Sequence, residues 1–128
     1  MKNEVKNWLD SAQYDLDTAE HMFATGRYIY TVFMCHLALE KALKAKVEEI
    51  TGKTPPKTHD LGYLVGIAGL LPAKDIEEFL VEISNLSIVT RYPGDFQKML
   101  RDFSLEKTES ILIRTREAFQ WIKKSIVL

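Results

Sequence analysis

Apolar residues recur every three or four positions along most of the chain, which is the spacing of one face of an α-helix. The first segment predicts a helix from about residue 3 to residue 25, and Gly26 follows as a natural stop. The apolar positions of this helix are Val5, Trp8, Leu9, Ala12, Leu16, Ala19 and Phe23. The second segment predicts a longer helix over residues 28–51, ended by Gly52 and Pro55-Pro56. Because only about three residues separate the two helices, we expect them to pack antiparallel.

Shorter helices are predicted in the middle of the chain. Residues 53–57 form a loop by composition, and Thr58 is the predicted N-cap of a short helix that runs to Leu71. Three glycines, Gly62, Gly66 and Gly69, weaken that helix. Pro72 starts the next element, which is predicted to end near Val89. The face that it buries is predicted to be Ile76, Phe79, Leu80, Ile83 and Ser87.

The last helix is predicted to begin at about Ser104, after the helix-breaking cluster of residues 91–95. Its core positions alternate three and four apart: Leu105, Thr108, Leu112, Thr115, Phe119, Ile122 and Ile126. Other apolar residues lie off this stripe, and they are Ile111, Ala118, Trp121 and Leu128. A second apolar strip on a bundle helix is either covered by another helix or forms a subunit interface. We name Trp121, Ala118 and Ile111 as the candidate interface of a homodimer.

No segment has the alternating pattern of a β-strand, and no internal repeat divides the chain. The length of 128 residues is typical of one domain, so residues 1–128 are predicted to form a single unit. The predicted fold class is all-α. The architecture that fits the helix lengths is an up-and-down four-helix bundle with an additional short helix across one end.

Two polar residues lie within the apolar stripe of the second helix. That stripe consists of Ile29, Val32, Phe33, Leu39, Leu43 and Val47, and His36 and Glu40 project from its middle. A buried carboxylate without a partner costs several kcal/mol as an order of magnitude. The chain must therefore supply partners, and the candidates are Lys44, residues 58–61 and residues 91–93.

Composition excludes several classes of protein. The hydrophobic fraction of 46% and the charged fraction of 27% are those of an ordinary globular domain, and no stretch is apolar enough to span a membrane. A net charge of −1 argues against binding to long nucleic acid through its phosphates. The N-terminal residues lack the apolar core of a signal peptide, and the single Cys35 has no internal disulfide partner. We therefore expect a cytoplasmic protein.

Familiar catalytic and cofactor sites are also disfavoured. His36 and Glu40 have the spacing of two metal ligands, but His21 and His59 are the other histidines and no second cluster of ligands accompanies them. Cys35 and His36 point about 100° apart on a helix, so they do not form a nucleophilic pair and Cys35 is predicted to be a core residue. The glycines lack the setting of a phosphate-binding loop. We expect neither a metal nor a cofactor.

Side chains that suit a phosphate or a base remain, namely Lys41, Lys44, His59, Arg91 and Tyr92. Arginine binds phosphate through two hydrogen bonds, and tyrosine offers a stacking face. The structural alternative is a buried network in which Glu40 accepts hydrogen bonds from Lys44 or Arg91. The residues alone leave both interpretations open.

The ordered set of motifs resembles the HEPN family, the nucleotide-binding helical domain of higher eukaryotes and prokaryotes. The residues that carry the resemblance are Trp8, Ala12, Asp15-Leu16, Ala19, Gly26-Arg27-Tyr28, Phe33, His36, Leu39 to Ala45, Pro55-Pro56, Thr58-His59-Asp60-Leu61 and Arg91-Tyr92-Pro93. The resemblance implies a helical bundle that forms a homodimer. It also implies a partner protein, a small, separately encoded nucleotidyltransferase.

One branch of that family consists of ribonucleases, many of them toxins of toxin-antitoxin pairs, with an arginine followed four to six residues later by a histidine. This chain departs from that pattern, because no histidine occurs beyond His59. The resemblance therefore favours a domain that binds a nucleotide or a short RNA without cleaving it. Arg91 and Lys44 would hold phosphate, with Tyr92 stacking. The remaining site residues are Lys41 and the polar floor of His36, Glu40, His59 and Asp60.

Two other functions stay open at this point. An atypical metal-independent ribonuclease would use His59, provided that the fold brings its loop against Arg91. A purely structural interaction module would use the same polar residues for stability only.

Overall fold

The computed structural model describes residues 3–127, and within that range the chain is helical with no β-strand. Six helices follow in order: α1 (Asn3–Ala24), α2 (Tyr28–Thr51), α3 (Leu61–Ile67), α4 (Lys74–Arg91), α5 (Phe96–Asp102) and α6 (Leu105–Ser125). The four long helices, α1, α2, α4 and α6, make up the bundle, and α3 and α5 are short additions. The all-α prediction is confirmed. Within residues 3–127, no helix combines the length and the apolar character needed to cross a membrane.

Helices α1 and α2 form the predicted hairpin. The helix bounds agree with the sequence pattern to within one residue at each end, because glycines stop both helices. Gly52 ends α2 with a φ of 69°, a left-handed conformation that favours glycine, and its N–H donates to the carbonyl of Glu48. The face of α1 that packs on α2 is the predicted apolar one, with Ala12 and Ala19 fully buried.

Helix α2 is the centre of the fold. Every other helix packs against it, and α1 does so most extensively. Its buried residues consequently lie on all sides of the helix rather than along one stripe, as expected for a central helix. The polar positions predicted to lie within the apolar face are indeed buried, with His36 0% and Glu40 3% exposed.

The short helix α3 differs from its prediction at both ends. Its N-cap is Asp60, whose carboxylate accepts a hydrogen bond from the N–H of Tyr63 at 3.1 Å, and the prediction of Thr58 as the cap is wrong. Thr58 instead accepts a hydrogen bond from the N–H of Asp60 through its hydroxyl. The helix ends at Ile67 and not at Leu71. The reason is Gly69, whose φ of 69° turns the chain out of the helix.

Helix α5 was not predicted. The segment after Arg91 breaks α4 as expected, but Asp95 then caps a new helix by accepting a hydrogen bond from the N–H of Lys98 at 3.0 Å. The helix buries Met99, and Phe103 follows it into the main core. Proline, glycine and aspartate thus end one helix and start another within a few residues.

Helix α6 confirms most of its predicted core stripe and corrects the second strip. Leu105 is 48% exposed, whereas the other predicted stripe positions are buried. Ile111 and Ala118 are each 1% exposed, because helices of the same chain cover them. They are therefore not surface residues. Trp121 packs against the core from its edge and stays partly exposed, and Leu128 lies outside the described residues.

Candidate functional site

The carboxylate of Glu40 is the centre of a polar cluster that also contains His36, Lys44 and His59. Lys44 lies one helical turn further along α2, and its Nζ donates to Oε2 of Glu40 at 3.0 Å. On the other side, Nδ1 of His59 lies 2.8 Å from Oε1 of Glu40. The prediction that Glu40 pairs with Lys44 is confirmed, and residues 58–61 supply the second partner. Both carboxylate oxygens are thus satisfied, as a buried charge requires.

His36 lies one turn before Glu40 and anchors the same loop. Its Nε2 donates to the backbone oxygen of His59 at 3.1 Å, while its Nδ1 is buried without a hydrogen-bond partner, 4.0 Å from Oε1 of Glu40. Burial lowers the pKa of His36 from 6.5 to about 4; the Glu40 carboxylate opposes this shift and the Arg91 charge adds to it. His36 is therefore neutral at pH 7, and it acts as a hydrogen-bond donor to the loop.

The loop before α3 holds His59 at the surface end of the cluster. Thr58 is turned by a hydrogen bond from its N–H to the oxygen of Pro56, and Asp60 is fixed as the cap of α3. His59 lies between these two fixed residues, and its side chain is 64% exposed. Asp60 was predicted to be a site residue. Its carboxylate is engaged with the backbone of α3, so its part in the cluster is to position His59.

Arg91 and Tyr92 end α4 near the other end of the cluster. The guanidinium carbon of Arg91 lies 4.7 Å from the ring centroid of Phe33, which precedes His36 by one turn of α2. This cation–π contact holds the arginine beside the cluster and leaves its N–H groups for other partners. Within residues 3–127, Arg91 forms no ion pair. The ring of Tyr92 is 77% exposed next to it.

Two predicted site lysines are engaged by acidic or polar groups of the chain itself. Lys41 points toward α1, where its Nζ donates to the hydroxyl of Ser11 and pairs with Asp15, both at 2.8 Å. Its ammonium is therefore engaged by α1. Lys44 is in the cluster, but its side chain is only 9% exposed and its ammonium forms an ion pair with Glu40. The ring of Trp8 covers it at 5.7 Å.

Sequence reasoning missed the aromatic supports of the cluster. Phe33 carries Arg91 and Trp8 covers Lys44, yet both were assigned to the apolar stripes of their helices. The signal for Phe33 in the sequence was spacing, because Phe33, His36, Glu40 and Lys44 follow one another at intervals of three and four. An aromatic residue in such a row serves as a platform for a cation as well as a core residue.

Cysteine and metal chemistry find little support in the described part of the chain. Burial raises the pKa of Cys35 to about 12, so its thiol stays protonated and unreactive, and the prediction of a core residue is confirmed. Among residues 3–127, no group of three or more histidine, cysteine or acidic side chains is placed to hold a metal ion. The exposed chemistry of the cluster is thus an imidazole, a guanidinium and a phenol.

Comparison with known proteins gives one family and two similar structures. A family model of the HEPN domain matches residues 5–126. The crystal structure of TT1696 from Thermus thermophilus has a TM-score of 0.77 at 21% identity, covering 98% of this chain and 100% of that one. The crystal structure of ST0689, an archaeal HEPN homologue, has the same TM-score and identity over 99% of this chain and 100% of that one. No curated protein matches the chain in sequence. At this identity, the two structures show a shared fold.

Proposed function

Because this chain belongs to the HEPN domain family, we propose that it is a nucleotide-binding helical domain that works without catalysing a reaction. The observation that carries this proposal is the placement of Arg91 and His59 on either side of His36: the Arg91 guanidinium packs on Phe33, one turn before His36, and His36 hydrogen-bonds to the backbone of His59. Arginine with unused N–H groups is suited to phosphate, because its planar donors match two phosphate oxygens at once. The ligand class is a nucleotide or a short RNA.

Each group has a role in the proposed complex. Arg91 binds phosphate, and Tyr92 offers its exposed ring to the base or hydrogen-bonds through its hydroxyl. Lys44 neutralises Glu40 rather than touching the phosphate, because Trp8 and Glu40 enclose its ammonium. Without that neutralisation, the Glu40 carboxylate would repel an anionic ligand.

A thermal-shift screen of nucleoside mono-, di- and triphosphates tests the proposal. A ligand present at 100 times its dissociation constant stabilises the folded state by about 2.7 kcal/mol, so binding gives a clear rise in melting temperature. The shift should shrink as salt rises, because phosphate contacts contribute much of the binding. Arg91→Ala should abolish it. The matched control is Arg101→Ala on α5, an exposed arginine outside the cluster, which should keep the full shift.

The same samples separate the two alternatives. The imidazole of His59, oriented by Glu40 at 2.8 Å, has the arrangement of a general base, and this favours the ribonuclease alternative. We expect no cleavage of a labelled RNA without added metal. Cleavage that is lost in Arg91→Ala and His59→Ala would overturn the non-catalytic proposal. Absence of both shift and cleavage would leave an interaction module.

We further propose that the domain forms a homodimer and pairs with a separately encoded minimal nucleotidyltransferase. HEPN domains often dimerise, and α6 keeps Trp121 at the rim of a surface groove of about 480 Å³. Charged and polar residues line the rest of that groove, and they are Arg116, Glu117, Gln120 and Lys124. An aromatic residue within a polar rim is a common anchor of protein interfaces.

Replacing Trp121 by glutamate tests this assembly. We expect a dimer for the wild type and a monomer for Trp121→Glu by light scattering, because the change places a charge in a desolvated contact. Leu71→Glu is the control, since Leu71 is 93% exposed in the loop between α3 and α4 and should leave the dimer intact. A monomeric wild type, or a dimeric Trp121→Glu, would refute the interface. Co-expression with a nucleotidyltransferase encoded next to this chain should give a complex that elutes as one species.

A further inference from the structure

The imidazole of His59 has two nitrogens in very different surroundings. Its Nδ1 faces the buried carboxylate of Glu40 at 2.8 Å. The side chain as a whole is 64% exposed, so the opposite edge of the ring, which carries Nε2, is open to solvent. The proton on a neutral imidazole occupies one nitrogen only, and the partner of the other nitrogen decides which. The contacts of the two nitrogens therefore determine which of them carries the proton.

Glu40 can only accept hydrogen bonds, and few donors reach it. The Lys44 ammonium donates to Oε2 at 3.0 Å and does not reach Oε1 with a hydrogen bond. His36 lies 4.0 Å from Oε1 through its Nδ1 but cannot donate there, because its single proton is used on Nε2 for the oxygen of His59. The donor to Oε1 of Glu40 is consequently Nδ1–H of His59.

With the proton on Nδ1, Nε2 of His59 carries no proton, and its lone pair faces solvent. Turning the ring over would place Cδ2 instead of Nδ1 against Glu40 and would lose the 2.8 Å hydrogen bond, so that contact holds the ring in this orientation. Neutral histidine in this cluster is thus an acceptor toward solvent. A phosphate oxygen is also an acceptor, so the two would repel one another rather than bind.

We infer that Nε2 of His59 accepts a hydrogen bond from a ribose hydroxyl of the bound nucleotide, while Arg91 takes the phosphate, so that the site prefers ribonucleotides to deoxyribonucleotides. This inference rests on the proposed function. A hydroxyl supplies the proton that the imidazole lacks, and the guanidinium supplies the donors that phosphate requires. A ribose hydroxyl is also the group by which proteins distinguish RNA from DNA.

Paired nucleotides test the inference by isothermal titration calorimetry at neutral pH. Each of the four ribonucleoside 5′-monophosphates is compared with its 2′-deoxy and its 3′-deoxy counterpart. We expect one of the two deoxy series to bind about tenfold more weakly, which corresponds to about 1.4 kcal/mol. Equal affinity for all three series would overturn the inference and leave the proposed function standing. No binding in any series would overturn both.

Variants locate the preference on the ring of His59. His59→Ala should bind ribo- and deoxyribonucleotides equally, with the phosphate contact of Arg91 retained. It should fold, because His59 contributes its backbone oxygen to His36 and its side chain is mostly exposed. His21→Ala on α1 is the matched control, since it removes an exposed histidine elsewhere and should keep the preference. A preference that survives in His59→Ala would contradict the inference.

Nitrogen NMR of the free protein tests the proton assignment without a ligand. Long-range ¹H–¹⁵N correlation of the His59 ring, at a pH where it is neutral, should show a protonated Nδ1 and an unprotonated Nε2. Glu40→Gln should shift the ring toward the Nε2-protonated form, because an amide can donate to Nδ1. An Nε2-protonated ring in the wild type would refute the inference even if nucleotides bind.

Discussion

Acidification from pH 7 to about pH 4 is expected to cost the protein about 3 kcal/mol of stability through His36 alone. Burial lowers the pKa of His36 from 6.5 to about 4 in the folded chain, whereas unfolding returns it to its ordinary value. Between these two values the unfolded chain binds the proton and the folded chain does not, so protons favour unfolding. The gap is about 2.5 pH units, each worth about 1.4 kcal/mol. The stability is fully present above pH 6.5 and is lost as the pH falls toward 4.

Urea unfolding at a series of pH values measures this effect. The slope of stability against pH in the wild type should exceed that of His36→Gln over the range from about pH 4 to 6.5, since glutamine does not titrate there. Glutamine can still donate a hydrogen bond toward the oxygen of His59, so the variant should fold. His21→Gln is the control for an exposed histidine and should keep the wild-type slope. Identical slopes in the wild type and His36→Gln would show that His36 is not neutral in the folded state.

Glu40→Ala is the substitution expected to destabilise the chain most within the site, by about 3 kcal/mol. Glu40 is 3% exposed, and its removal leaves the ammonium of Lys44 buried with no acceptor. It also leaves Nδ1 of His59 without its partner. The free energy of unfolding in urea at pH 7 gives the measurement.

Two further variants test whether burial of the charge causes the loss. Glu78→Ala removes one partner of an exposed ion pair with Lys74, and such pairs contribute about 1 kcal/mol or less. Adding Lys44→Met to Glu40→Ala should recover part of the lost stability, because it removes the unpaired charge and keeps the volume. An unchanged midpoint in Glu40→Ala would mean that Glu40 is solvated and that the cluster is not buried in solution.

The sequence predicted the long helices and the phase of α2 well. Helical periodicity is a strong signal over 20 or more residues, and glycines mark the ends of α1 and α2 clearly. The burial of His36 and Glu40 followed from that phase. So did the need for partners from residues 58–61, because a buried carboxylate cannot go unpaired.

Short elements were harder to predict, because several residues compete to cap them. Thr58 and Asp60 are both good caps. Asp60 is the cap in the folded chain, where His36 binds the backbone of His59 between them, and this contact is not visible in the local sequence. Asp95 follows a proline and a glycine, and those signals conceal a cap that starts a helix of seven residues. Local propensity gives little information over such lengths.

Residue spacing alone also did not predict which neighbouring helix each side chain contacts. Lys41 directly follows Glu40 in the sequence, yet it turns to Asp15 on α1, because neighbours on a helix point about 100° apart and α1 supplies an acidic partner there. Ile111 and Ala118 lie outside the predicted core stripe of α6, yet they are buried within the chain. Helix α6 packs against α1, α2 and α4, so more of its circumference is covered.

The central position of α2 has a consequence for the cooperativity of unfolding. Each of the other helices packs on α2, so no subset of them retains a core once α2 is lost. Amide hydrogens in the middle of α2 should therefore exchange with solvent only through opening of the whole chain, while the short α5 can open locally. His36 and Glu40 belong to this most protected part. A ligand bound to the proposed site beside them would therefore stabilise the whole domain, and it should slow proteolysis of all the helices together.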